Sequence, residues 1–241
     1  MIVILLILSK IVSMTELLQN LRIVINPKIF VKDPQSSDLG KRIVEDGIQL
    51  ISEIGFERFT FRKLGQRIGS NESSIYRYFE NKHKFLIYLN SWYWGWLEYR
   101  LVLMTNSISD PQEKLEKALE VLTQTVEADP AFAHVDEVAL NRIVVNEHFK
   151  PFLTPEVDQE NKEGYFEVYK RLVGRFGQMI RDCSPEYPYA LSLASMVLSG
   201  SLHQYFLSAH FPSLTDCSDP QAHATFFQTL VFSNLSTSAH D

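Results

Sequence analysis

The sequence predicts an all-α protein, and three observations carry that prediction. Apolar residues recur at helical spacing from residue 37 to the C-terminal end. The segments so marked open on Ser, Thr or Asn and close on Gly or Pro. The one β-branched, alternating stretch, "RIVINPKIFVKDP" (22–34), is short and ends at Pro34, so it reads as an extended arm and not as part of a sheet.

Taken in order, "SSDLGKRIVEDGIQLISEIG" places Ile43, Gly47, Leu50, Ile51 and Ile54 on one helical face, with Ser37 or Asp38 as N-cap and Gly55 as the stop. Thr60 caps the next segment, "FERFTFRKLGQRIG", in which Leu64 and Ile68 point inward and Gly69 ends the helix. Asn71 caps "ESSIYRYF", where Ile75 and Phe79 lie one turn apart. Helices this short are not stable alone and require neighbours. Asn81 then opens "KHKFLIYLNSWYWGWLEYRLVLM", which runs beyond twenty residues without Pro; Trp92 and Trp96 share a face there, and most of the tryptophan cluster reads as core. Beyond it, "DPQEKLEKALEVLTQTVEAD" (110–129) and "HVDEVALNRIVVNEHF" are amphipathic. "EVDQENKEGYFEVYKRLVGRFGQMIRDC" reads as one long helix, followed by "PYALSLASMVLSGSLHQYFLSAHF" and "PQAHATFFQTLVFSNL".

Short helix, glycine-containing turn, short helix and an immediate long helix are helix-turn-helix spacing. In such a unit the second helix enters the major groove, so its outer face carries polar and aromatic groups. Glu72, Ser73, Ser74, Arg77 and Tyr78 are the outward positions, with Tyr76 at the edge. The charge distribution agrees. The chain carries −6 overall, but residues 56 to 84 hold seven Lys/Arg against three acids, a balance of +4, which leaves −10 for the remainder. A basic island on an acidic body is an electrostatic footprint for nucleic acid, although a solvated charged face gives a similar pattern.

Residues 38 to 89, through "GFERFTFRKLGQRIG" and "SIYRYFENKHKFL", resemble the DNA-binding domain of the TetR family of bacterial transcriptional regulators. The resemblance implies a homodimer, with an N-terminal three-helix DNA reader and a C-terminal helical domain for effector binding and dimerisation. It carries phosphate contacts onto Thr60, Tyr76 and Lys82, and base or groove contacts onto Arg62, Glu72, Ser73, Ser74, Arg77 and Tyr78; Lys63 belongs to the same basic face. Tyr76 reads equally as a buried ring with its hydroxyl at the rim. Gly65 departs from the family's usual Ala, weakening that helix by up to about 1 kcal/mol. Glu72 puts a negative charge near DNA.

The expected organisation is an N-terminal extension over 1–36, the DNA-binding domain over 37–84 and the effector and dimerisation domain over 85–241. "MIVILLIL" lacks the basic start of a signal peptide and is too short to span a membrane; the favoured reading is a start at Met14, with residues 1–13 not native, and the alternative is a poorly cleaved signal or a peripheral anchor. Cys183 and Cys217 are too few and too far apart for a disulfide framework or a cysteine zinc site, and suit a cytoplasmic protein. No catalytic motif is present and the seven histidines are scattered, so no enzyme activity, metal or cofactor is expected.

For the effector, an apolar, flat and uncharged small molecule is expected against Tyr93, Trp96, Tyr169 and His203; rings that simply fill the core are the alternative. For the dimer, the last two helices are expected to pair with their symmetry mates, through small residues around Leu191 and Met196 and through Phe226, Phe227, Leu230 and Val231. The DNA partner is a palindromic double-stranded operator. The alternative function is a small-molecule binding module or enzyme that keeps the helix-turn-helix only as scaffold.

Overall fold

Side-chain caps set the helix starts in the order the sequence marks them. The computed structural model describes residues 23–126 and 135–237. Ser37 Oγ accepts the Gly40 N–H at 3.2 Å and opens α1, Asp38–Ile54. Thr60 Oγ1 accepts from Lys63 N at 3.2 Å ahead of α2, Phe61–Arg67. Asn71 Oδ1 accepts from Ser74 N at 2.9 Å ahead of α3, Glu72–Tyr76. Asn81 Oδ1 accepts from Lys84 N at 2.8 Å ahead of α4, Lys82–Thr105. Each bond satisfies a backbone donor that the first helical turn leaves open, a contribution of about 1 kcal/mol per cap.

The remaining helices are α5 (Pro111–Thr123), α6 (Glu137–Glu147), α7 (Val157–Lys162), α8 (Glu167–Cys183), α9 (Ala190–His210) and α10 (Pro220–Thr237). Among the described residues there is no strand, and no helix is long and apolar enough to cross a membrane. The fold is all-α: an N-terminal helix-turn-helix unit followed by a helical C-terminal part. Helix α4 is its axis. Every residue from Phe85 to Glu98 is buried, because α5, α6 and α8 surround it while Gly47 of α1, Phe61 of α2 and Phe79 beyond α3 pack on Phe85 near its N-terminal end. Helix α9 lies on α8 and meets α6, α5 and α10. Phe59, Phe79 and Phe85 make a continuous aromatic cluster beneath the helix-turn-helix, with Phe79 and Phe85 centroids 4.9 Å apart edge to face.

Three expectations are corrected. The N-terminal arm is not a uniformly extended stretch. It contains two 3₁₀ turns, Pro27–Ile29 and Pro34–Ser36, each opened by a side chain (Asn26, Asp33) that accepts a backbone N–H two residues on. The long helix expected over residues 156 to 183 is broken into α7 and α8 at Gly164, whose φ of +83° lies in a region open to glycine and costly for other residues. Helix α5 ends at Thr123, with Gln124 extended, so it does not continue to the expected boundary near 129. The expectation of a start at Met14 falls outside the described residues, as do residues 127–134.

The arm straps the two parts of the molecule together. Ile23 lies over Gly95 of α4, so close that a Cβ on Gly95 would stand 2.5 Å from the Ile23 side chain. Asn26 Nδ2 donates to the Glu163 carbonyl at 2.8 Å. Further along, Phe30 meets Tyr88 edge to face at 6.2 Å, and Val31 N–H donates to the Tyr78 carbonyl at 2.8 Å. Helix α1 completes the junction against α6, where Gln49 Nε2 donates to Asp136 at 2.8 Å.

Candidate nucleic-acid interface

Helices α2 and α3 are seven and five residues long and are held by what they bury. Phe61, Leu64, Ile68, Ile75 and Phe79 are all buried, which fixes the faces left for solvent. Gly65 suits the tight turn between the helices, since a Cβ there would lie 3.0 Å from the Ser70 carbonyl oxygen.

The outward face carries most of the expected residues. Thr60, Arg62, Lys63, Ser73, Tyr76 and Arg77 are exposed, and Glu72, Ser74 and Lys82 are half-buried. Several are engaged with one another. The Ser73 and Ser74 hydroxyls both donate to Asn71 Oδ1 at 2.7 Å. The Tyr76 hydroxyl donates to Glu72 at 3.2 Å, a bond that also raises the Tyr76 pKa, while its ring, 47% exposed, leans edge to face on Phe61. Glu72 thus has a neighbour to neutralise part of its acceptor capacity. Lys63 Nζ donates to the Arg58 carbonyl at 2.8 Å, and Lys82 Nζ lies 4.8 Å above the Phe56 ring. Among the described residues neither Arg62 nor Arg77 takes part in an ion pair.

Two features of the basic island differ from the sequence reading. Tyr78, expected to face DNA, is 4% exposed and turned inward. Its hydroxyl shares a 2.8 Å hydrogen bond with Ser37, and Lys32 sits 5.1 Å above its ring. The Ser37 bond, opposed by burial and aided by Lys32, holds its phenol below the ordinary value. The reason is local: α3 ends at Tyr76, and Tyr78 N–H bonds the Ile75 carbonyl three residues back, so Tyr78 does not follow the helical rotation. The second is Arg67, one of the seven Lys/Arg counted in that island, whose charge is spent inside the unit. It forks onto Glu53 at 2.6 and 2.9 Å and reaches Asp46 at 3.3 Å. Sequence reasoning missed the support given by Val31, Lys32 and Ser37, which lie 41 to 47 positions before Tyr78 and carry no local signal.

A family model of the bacterial regulatory proteins of the tetR family matches residues 43–89, from within α1 to within α4. Residues 43–89 thus carry a domain of the tetR family. No curated protein matches the sequence. Among solved structures, a tetR-family regulatory protein from Rhodococcus RHA1 is 15% identical, with 83% of this chain and 98% of that chain covered and a TM-score of 0.59. AibR, solved with isovaleryl coenzyme A and operator DNA, is 16% identical over 78% of this chain and 96% of its own, at a TM-score of 0.55. A transcriptional regulator from Rhodococcus sp. Rha1 is 16% identical, covering 86% and 97%, at 0.53. At these identities the likeness is one of fold: the whole arrangement, and not the reader alone, is TetR-like.

The four residues expected to hold an effector do not converge in this TetR-like chain. Tyr93 and Trp96 are buried together with centroids 6.0 Å apart, and the Tyr93 hydroxyl, its pKa raised by burial, donates to Asn141 at 2.9 Å. Tyr169 packs instead on Trp94, at 4.9 Å. His203 is exposed and stacks on Phe206. Rings at the right spacing on α4 go to different neighbours because that helix is enclosed on every side.

Proposed function

We propose that the chain is a sequence-specific transcriptional regulator that binds a palindromic duplex operator as a homodimer and is released by a small molecule held among its C-terminal helices. The observation that carries the reading is the outer face of α3. It offers Ser73, Tyr76 and Arg77 to solvent over a buried Ile75 and Phe79, with Thr60 and Lys82 at the flanking helix starts, within a domain of this family. Arg77 supplies a planar fork for base edges, and Thr60, Tyr76 and Lys82 supply phosphate contacts. Lys63 and Arg62 add to the positive field, while Ser73, Ser74 and Glu72 exchange their present bonds for contacts in the groove.

The homodimer is supported by α9 and α10. Leu191, Met196 and Phe226 are exposed there beside a run of small residues, an apolar surface suited to a four-helix bundle about a two-fold axis. Such a dimer sets two readers about 34–36 Å apart, one helical turn of DNA. A ligand that favours another separation shifts the population away from operator. AibR, solved with isovaleryl coenzyme A and operator DNA, supports the expectation that a chain of this fold has both a DNA and a small-molecule partner. No enzymatic step is assigned, and the reading places the protein in the cytoplasm.

Selection of bound duplexes from a random pool tests the reading. A palindromic motif with two half-sites is expected. Enrichment of no motif, with equal affinity for all duplexes, overturns it.

A further inference from the structure

We propose that the effector site is a closed cleft between α4, α8 and the turn at Pro151–Phe152, and that it takes a single-ring, uncharged ligand bearing one hydrogen-bond donor and one acceptor. The inference rests on the effector half of the proposed function and gives it a place and a chemistry.

Ile87, Trp94, Phe152, Tyr165, Phe166 and Tyr169 wall the cleft, and Asn90 and Ser91 stand in its floor on α4. The walls are therefore ring faces and edges, suited to a flat aromatic guest. No Lys, Arg, Asp or Glu lines it, so a charged ligand gains nothing there and loses its hydration. Asn90 and Trp94, one turn apart on the same face, are each 4% exposed. Asn90 Nδ2 donates to the Leu86 carbonyl at 3.1 Å, yet its Oδ1 has no hydrogen-bond partner, and neither has Trp94 Nε1. An unpaired acceptor and an unpaired donor, both buried and one turn apart, are rare in folded proteins. A ring carrying an amide or lactam supplies the complement: its N–H to Asn90 Oδ1, its carbonyl oxygen to the Trp94 N–H.

The cleft is shut in this structure, with room for about 10 Å³, the space of one water. Phe152 and Phe166 close it edge to face, 5.0 Å apart. Phe152 lies in a turn that exposes Phe149 and Leu153 to solvent, and Phe166 directly precedes α8. The stretch between them is also tied to the reader. Glu160 of α7 binds His83 at 3.0 Å, next to Lys82, and the Glu163 carbonyl holds the arm through Asn26. A ligand that parts Phe152 from Phe166 displaces the ends of both ties, which gives the site a route to the DNA-binding face.

The test uses the purified full chain without DNA and three probes of one size: benzamide, toluene and benzoate. Benzamide is expected to raise the melting temperature and, by titration calorimetry, to bind at least about tenfold more tightly than toluene or benzoate, the worth of pairing a buried polar group. Trp94→Phe and Asn90→Leu should each weaken benzamide by a similar factor and leave toluene within about twofold. If either variant fails to fold, by circular dichroism, the ranking of the three probes on the native chain decides. Toluene or benzoate binding as well as benzamide, or no binding by any of them, overturns the proposal. Duplex selection is independent of this outcome, so failure of the site and failure of the DNA reading are separable.

Discussion

Tyr78→Phe separates two roles for one residue. A tyrosine that reads bases loses specific affinity when its hydroxyl goes; a tyrosine that anchors the reader loses stability. The structure favours anchoring. The substitution removes the 2.8 Å bond to Ser37 and a 3.4 Å contact with Lys32 Nζ, while the ring keeps its place below the Lys32 ammonium. Ser37 still accepts from Gly40 N, so the cap of α1 survives. One partly buried hydroxyl pair is lost, about 1 kcal/mol. For a chain of this size that is roughly 2–4 °C in melting temperature. Operator affinity at fixed salt should stay within about twofold of the native value, whereas loss of a base contact would cost about 1–3 kcal/mol, roughly fivefold or more. Thermal denaturation by circular dichroism and fluorescence anisotropy on the selected operator measure the two quantities. An unchanged melting temperature together with a tenfold loss of affinity would refute the anchoring role and restore Tyr78 to the DNA face.

Arg77→Ala should cost about 1–3 kcal/mol of specific binding and relax base choice, while Lys82→Ala weakens all duplexes alike and lowers the salt slope by about one unit; unchanged affinity in both removes the site assignment. Met196→Glu, at a position 63% exposed in the single chain, should leave the fold intact and shift the molecule to monomer by light scattering at micromolar concentration; an undisturbed dimer mass would contradict pairing through α9. Burial pushes both His148 and His223 below the ordinary imidazole value. The unfolded chain therefore binds protons that the folded one refuses: stability is full above about pH 6.5 and falls below it, by up to about 1.4 kcal/mol per pH unit per histidine. His223→Asn should shallow the fall in melting temperature between pH 7 and 5.5, and an unaltered slope would exclude His223 as a source. Gly40→Ala places a Cβ 2.2 Å from the Pro34 carbonyl oxygen, so the arm must move. The expected net cost is about 1–2 kcal/mol, after the helix-forming gain of alanine, and a stabilised variant would show the arm to be loosely held.

The reader was legible because its signals are local. Ser37, Thr60, Asn71 and Asn81 each cap a backbone donor three residues ahead, and Ile75 and Phe79 are buried as their spacing requires. Where the reading erred, a helical rotation was carried past the end of a helix. Tyr78 lies beyond the last turn of α3, and the pattern around Tyr165 and Phe166 was read straight through Gly164. The four residues expected around the effector do not converge, for another reason. Helical periodicity separates an inner from an outer face, but α4 has no outer face between Phe85 and Glu98, so spacing alone did not distinguish Trp94 from Trp96. Contacts such as Asn26 with Glu163 span 137 positions and leave no trace in any short window.

That span has a consequence for the order in which the molecule is made. The arm precedes the reader in the chain, but its anchor at Glu163 is translated long after the helix-turn-helix is complete. At the usual pace of about 5–20 residues per second, the reader exists for several seconds without its strap. During that interval Val31, Lys32 and Ser37 can already meet Tyr78, and what the arm lacks is the hold of Glu163 on Asn26. The DNA-binding unit is therefore finished from the far side, by the helices expected to sense the ligand. A nascent chain arrested before residue 163 would carry a reader of native topology and looser grip, and protease sensitivity around residues 23–36 would report the difference.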